Sequence, residues 1–282
     1  MSDASGKVAP LATLVTDAAL AHLRWDSSPS AVPGPLVVLL HGVGGGREAW
    51  GAAGSGSGAA LAAAGFTALA VDFPGYGQST MIDPCDLAGM AAAVEQLIAH
   101  LGLGPALLVG HSMGGMVAQE LTARSPSAVS GLVLASTSPA FGKPGGDWQR
   151  DFLQSRFAPL DAGAGMAGLA AQLVPAMLPP GSAATVRASA QALMAGVPEA
   201  TYRSAVAALV AFDRRANLPL ISVPTLVITG ALDTTAAPEV ARKMAERIPG
   251  ALLQTVPGAG HLLPMEQPAA FNTALLAFLA RR

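Results

Sequence analysis

Gly110-His111-Ser112-Met113-Gly114 places a hydroxyl with glycine two positions to either side. Acyl transfer needs such a hydroxyl exposed, close to a base and beside donors for a developing oxyanion. A strand that turns sharply into a helix leaves its apex residue strained and projecting, and the chain crowds itself two positions before and after that apex. Gly110 and Gly114 stand at those two places, and Gly115 gives further room. A chain with 32 glycines can produce this pattern as a plain loop. The flanks separate the two readings: 107–109 read as a strand and 116–121 as the continuation of a helix.

A serine hydroxyl is a poor nucleophile near neutral pH until an imidazole takes its proton. There are five histidines. His22 lies in an opening hairpin, and His100 ends a predicted helix, where the macrodipole accounts for it. His111 is adjacent to Ser112, but neighbours at a tight elbow project in different directions. His261, in Pro257-Gly258-Ala259-Gly260-His261, follows the last predicted strand in a loop flexible enough to reach across, and is the expected base. Its orienting carboxylate should come from another strand end, between serine and histidine in chain order. Asp233 directly follows the 225–229 strand. Asp147, Asp151, Asp161 and Asp213 fall in a helical excursion, Glu239 belongs to the next helix, and Glu266 is expected as a charged residue opening the last one.

His41-Gly42-Val43-Gly44-Gly45-Gly46 follows an apolar strand and lets backbone approach a ligand closely. The N–H of Met113 and an N–H from this loop, at Val43, are the expected oxyanion donors. His41, with Gly42, is expected to hold the loop in shape by hydrogen bonds rather than to move protons. A phosphate cradle does not fit, because no Gly-Lys-Ser/Thr follows and no acid stands where a dinucleotide ribose needs one.

The elements that must position these residues alternate. Strands are expected at 35–40, 66–71, 107–110, 131–135, 225–229 and 252–256, after an antiparallel pair at 11–16 and 19–25 around Asp17. Helices are expected at 49–64, 86–100, 113–124, 238–247 and 268–279. This rhythm predicts an α/β protein with a mostly parallel sheet, helices on both faces and ligands at the carboxyl ends of the strands. Residues 138–219 break it with four helical patterns and no strand. They are expected to form a cap over that edge, inserted into a core made of 1–137 and 220–282.

Composition sets outer limits. Half of the 282 residues are apolar and 12% are charged, the mark of a packed globular chain. A net charge of −2 without a Lys/Arg run gives no basis for nucleic-acid binding. The apolar runs are too short to span a bilayer, and the first residues lack a basic segment followed by a long apolar one. A cytoplasmic protein with no membrane partner is expected. The single cysteine, Cys85, forms no internal disulfide and has no basic neighbour to activate its thiol.

Taken in chain order, His41-Gly42-Val43-Gly44, the stretch Asp72-Phe73-Pro74-Gly75-Tyr76-Gly77-Gln78-Ser79, the elbow Gly110 to Gly115, Gly230-Ala231-Leu232-Asp233 and Gly260-His261 resemble the α/β-hydrolase superfamily. The resemblance covers the chain apart from the cap. It implies an eight-stranded sheet, a Ser112-Asp233-His261 triad, and neither cofactor nor metal. Within the superfamily the chain is similar to small capped serine esterases and lactonases, including 3-oxoadipate enol-lactonases and cofactor-free haloperoxidase-like esterases. A small-molecule carboxylic ester or lactone is then the expected substrate, attacked through an acyl-enzyme on Ser112.

The C–C bond hydrolases of aromatic-ring breakdown share the triad but usually carry a proline-containing glycine loop, where this chain has Gly44-Gly45-Gly46. Serine at the elbow argues against haloalkane dehalogenases and epoxide hydrolases, which use an aspartate. A non-catalytic ligand receptor on the same fold is the reading from a different class. In the cap, Phe141, Trp148, Phe152, Phe157, Met166, Met177, Met194 and Tyr202 point to a modest apolar group, with most of them serving helix packing. Arg150, Arg156 and Arg187 are each open as carboxylate ligands or solvated helix charges. Self-association into a homo-oligomer is left open as well.

Overall fold

The computed structural model describes residues 24–28, 34–51, 56–142 and 146–281. Seven strands form one sheet in the order β1-β3-β2-β4-β5-β6-β7, namely β1 (Arg24–Ser28), β2 (Leu36–Leu40), β3 (Thr67–Asp72), β4 (Ala106–His111), β5 (Val129–Ala135), β6 (Thr225–Gly230) and β7 (Leu252–Val256). Only the β1–β3 pair is antiparallel. Eight strands were expected. The stretch at 11–16, expected to be the first, lies outside the described residues, and of its partner at 19–25 only the last two fall in β1.

β2, β4 and β6 are buried along their whole length, which is why they read as unbroken apolar runs and not as alternation. Successive side chains of β2 feed two cores. Leu36, Val38 and Leu40 pack with α2 (Leu87–Leu101), α3 (Met113–Arg124) and α8 (Pro238–Arg247), through residues such as Met90, Val117 and Met244. Val37 and Leu39 pack on the other face with α1 (Gly56–Ala63) and the C-terminal helix α10 (Pro268–Leu279). Phe271 of α10 is fully buried there, and truncating such a side chain to alanine costs about 3–5 kcal/mol.

Local chemistry sets the helix ends. Asp86 caps α2 by accepting the Gly89 N–H at 2.7 Å, and Gly102 ends it in a left-handed turn. The helix expected over 49–64 is a correction. A single 3-10 turn covers Arg47–Trp50, and α1 starts only at Gly56. Gly51 and Gly56 have φ of 106° and 77°, and a methyl group on Gly56 would sit 2.2 Å from the Trp50 carbonyl oxygen. The chain turns there where a helix would have to run straight.

Between β5 and β6 come α4 (Asp147–Asp161), α5 (Gly165–Met177), α6 (Ala184–Ala195) and α7 (Glu199–Val210), with no strand among the described residues. The outgoing and returning segments meet at an antiparallel bridge, Ala140 to Asp213. Phe141 N–H donates to the Phe212 carbonyl (3.0 Å), and Arg214 N–H to that of Pro139 (2.7 Å). The clasp is tied to α3 by the Arg214–Glu120 ion pair at 2.7 Å and by the Gln119 amide, which donates to the Ser138 carbonyl at 3.1 Å. Among the described residues no helix is long and apolar enough to cross a membrane.

Candidate active site

The loops that follow β2, β4, β6 and β7 gather at the carboxyl edge of the sheet, and their side chains meet there. Ser112 follows β4 directly and opens α3 with φ 52° and ψ −117°. The two glycines around it are steric necessities. A methyl group on Gly110 would sit 2.4 Å from the Gly114 carbonyl oxygen, and one on Gly114 would sit 2.1 Å from that of Leu40. Gly115 leaves room for Thr137, whose hydroxyl donates to the Ser112 carbonyl at 2.7 Å. Ser112 N–H donates to the Ala135 carbonyl at 2.9 Å, so its main chain is fixed from β5.

His261 Nε2 lies 3.1 Å from Ser112 Oγ, and its Nδ1 lies 3.0 Å from Asp233 Oδ2. Asp233 Oδ1 accepts the N–H groups of Thr235 and Ala236 at 2.8 Å each. Burial alone would raise the Asp233 carboxyl, but the His261 ring and these two N–H groups hold it below the usual carboxylate range. An ionised acceptor at Nδ1 keeps the proton on that nitrogen and leaves Nε2 free to accept from the serine hydroxyl.

The acid and base loops cross with backbone in contact. A methyl group on Gly230 would sit 2.3 Å from the Gly260 carbonyl oxygen, and Leu232 N–H donates to the Ala259 carbonyl at 2.8 Å. His261 N–H donates to the carbonyl of Met177 at the end of α5 (3.0 Å). Gly260 N–H donates to Glu266 Oε2 at 2.9 Å. Glu266 was expected to open the final helix. It instead sits in a short turn, α9 (Leu263–Glu266), half-buried, with its carboxyl raised by burial, and it holds the loop that carries His261.

His111 also touches His261, though not through the hydroxyl beside it. Its Nε2 lies 2.7 Å from the carbonyl oxygen of His261. Burial, with the neighbouring His261 ring, brings its pKa down to about 4. His41 is also fully buried and lowered to about 4. Its Nδ1 donates to the Gly42 carbonyl at 2.8 Å, and its Nε2 accepts the Phe73 N–H at 3.2 Å.

The loop at 41–46 is further held from the end of β3. Tyr76 O–H donates to the Val43 carbonyl at 3.0 Å, Arg47 N–H donates to Asp72 at 2.8 Å, and the Arg47 guanidinium pairs with the same carboxylate. Gly42 lets the loop pass over the elbow, since a methyl group there would sit 3.3 Å from Ser112 Cβ. The Val43 N–H has no hydrogen-bond partner among the described residues. Met113, as the first residue of α3, has no carbonyl one turn back to bond.

A cavity of about 410 Å³ opens above Ser112. Six of the apolar and aromatic candidates from residues 138–219 line it: Phe141, Trp148, Phe152, Met177, Met194 and Tyr202. Phe157 and Met166 pack into the core instead. Met116, Leu193 and Met265 line the cavity without having been singled out in the sequence. Of the three arginines, Arg156 reaches the cavity, Arg150 pairs with Asp147 at the surface, and Arg187 is exposed outside it. Among the described residues no group of His, Cys, Asp or Glu side chains could hold a metal ion. Cys85 is half-buried with its thiol raised by burial and by Asp86.

A buried carboxylate, an imidazole and an elbow serine on this sheet define a hydrolase of the α/β fold, and residues 35–268 match the family described as alpha/beta hydrolase fold. The chain belongs to that family. Among its relatives, a Variovorax paradoxus protein provisionally named carbamate hydrolase RutD is 33% identical over 88% of this chain and 92% of its own length. The pimeloyl-[acyl-carrier protein] methyl ester esterase of Chromobacterium violaceum is 32% identical, over 87% and 94%. Among solved structures, the enol-lactonase of Burkholderia xenovorans LB400 has a TM-score of 0.80 at 25% identity, covering 92% of this chain and 96% of that one.

Proposed function

We propose that this protein hydrolyses a small-molecule carboxylic ester or lactone through an acyl-enzyme on Ser112. The observation that carries the reading is the His261 ring, which bridges Ser112 Oγ at 3.1 Å and the buried Asp233 carboxylate at 3.0 Å on the floor of the cavity. The names of the esterase and enol-lactonase relatives lean the same way.

His261 Nε2 takes the Ser112 proton as Oγ bonds to the substrate carbonyl carbon. The N–H groups of Val43 and Met113 receive the oxyanion. The carbon–oxygen bond to the leaving alkoxide then breaks, and His261 returns the proton to that oxygen. Water, deprotonated by His261, attacks the acyl carbon, and Ser112 leaves with the proton. Asp233 keeps the imidazole oriented and stabilises its positive charge. Removing one oxyanion donor costs about a hundredfold or more in rate. Residues 138–219 act as the cap that selects the substrate, with no role for nucleic acid or membrane.

The test is labelling by a fluorophosphonate probe, with turnover of p-nitrophenyl acetate and butyrate, simple lactones and a ring-cleavage dienoate. Wild type should label and hydrolyse the esters or lactones, and Ser112→Ala should do neither. Turnover of the dienoate alone would replace the reading with C–C hydrolysis. A wild type that neither labels nor hydrolyses anything would leave a ligand receptor.

A further inference from the structure

The geometry points to a substrate that carries a carboxylate, and we propose that Arg156, seconded by the Tyr202 hydroxyl, anchors it in the cavity above Ser112. Trp148, Phe152 and Arg156 stand four residues apart on α4, so one stripe of that helix faces the cavity. Among the described residues, and histidines aside, Arg156 is the only charged side chain lining it.

Its neighbours in the excursion find protein partners. Arg203 pairs with Asp161 and Glu199, Arg214 with Glu120, and Arg215 with Asp213. Among the described residues Arg156 has neither ion pair nor hydrogen bond. It is half-buried, with its guanidinium 4.7 Å from the centre of the Phe152 ring. Stacking on an aromatic face steadies the cation while leaving its in-plane N–H donors free. A guanidinium at an apolar wall loses hydration, and a ligand carboxylate restores the lost hydrogen bonds in a two-pronged fit.

Tyr202 supplies the second donor. Its side chain is buried in the cavity wall, with no hydrogen-bond partner among the described residues. Burial pushes its pKa up to about 12, and Arg156 is near enough for its charge to act against that rise. The phenol therefore keeps its proton and donates. One positive charge and one neutral donor match a carboxylate monoanion. A phosphate dianion would call for more positive charge than this wall holds.

The word substrate rests on the ester-hydrolase reading, whereas the anion site itself does not. The test uses the full chain and the mono-p-nitrophenyl esters of succinate, glutarate and adipate, compared with p-nitrophenyl valerate. At least one diacid ester should exceed valerate tenfold or more in kcat/KM. That advantage should fall tenfold or more in Arg156→Gln, return in part in Arg156→Lys, and shrink with added salt. Tyr202→Phe should erode it less. No advantage in wild type, or an advantage that survives in Arg156→Gln, overturns the proposal. If no ester is turned over, the hydrolase reading fails separately, and calorimetry with glutarate decides the anion site. Binding at least tenfold weaker in Arg156→Gln supports it, and equal or absent binding in wild type overturns it.

Discussion

The Nε2 of His111 lies 2.7 Å from the carbonyl oxygen of His261, so the residue before Ser112 holds the main chain of His261. A carbonyl can only accept, which puts the His111 proton on Nε2. Burial, with the His261 ring 5.2 Å away, keeps the ring neutral.

That neutrality makes stability depend on pH. His41 and His111 have folded pKa values of about 4 against an ordinary 6.5. Between those limits the unfolded chain takes up protons that the folded chain refuses. Their contribution is therefore full above pH 6.5 and is lost as pH falls through 4, on the order of 3 kcal/mol for each ring. Urea midpoints should decline across this window. His111→Gln keeps a donor for the His261 carbonyl and removes one titration, so its decline should be shallower. Midpoints that stay flat from pH 7 to 4 would contradict this account.

Asp233→Asn should lower kcat by about four orders of magnitude with little change in KM. Oδ1 accepts two main-chain N–H groups, so the amide oxygen must stay there and the NH2 group takes the place that faces His261 Nδ1. Nδ1 is then forced to accept, and Nε2 carries a hydrogen toward Ser112. Steady-state rates on p-nitrophenyl butyrate read this directly, and a drop of less than tenfold would show that Asp233 is dispensable.

Tyr76→Phe removes the donor to the part-buried Val43 carbonyl, a loss of about 1 kcal/mol. The Val43 N–H belongs to the loop so loosened. Expected are a lower melting temperature and a kcat reduced several-fold at nearly constant KM. A KM effect alone would place Tyr76 in substrate binding instead.

Gly114→Ala should abolish soluble folded protein, because the new methyl group meets the Leu40 carbonyl at 2.1 Å and only lifting the start of α3 off the end of β2 relieves the clash. Gly65→Ala is the contrast. Its φ of 89° brings backbone strain, but nothing lies within 4 Å of the added atom, so the loss should be near 1–3 kcal/mol. Soluble yield and urea midpoints separate the two.

Much of the site could be read from the chain because chemistry and backbone coincide there. Ser112 and Asp233 each follow a buried apolar strand, His261 follows a strand buried only at Val256, and the glycines on either side of Ser112 are imposed by atoms a few residues off or at the end of the neighbouring β2. What escaped reading depends on chain arriving from elsewhere. The role of Glu266 exists because the Gly260 N–H turns back onto it. That of His111 exists because the 257–261 loop comes down over the elbow from β7. Phe157 and Met166 look no different in sequence from Phe152 and Met177, since only the roll of each helix decides which faces the cavity. Arg156 stands out only once Asp147, Asp161, Glu199 and Asp213 have been seen to pair with other arginines.

Ser112 itself sits at φ 52° and ψ −117°, a combination that glycine enters freely and other residues adopt at about 1–3 kcal/mol. At the position proposed to react, then, folding and working ask for different residues. Ser112→Gly should unfold at a higher temperature than wild type while being inert toward esters. A copy of this chain with glycine at 112 would gain robustness by discarding the hydroxyl, so the fold's own preference runs against the side chain it displays.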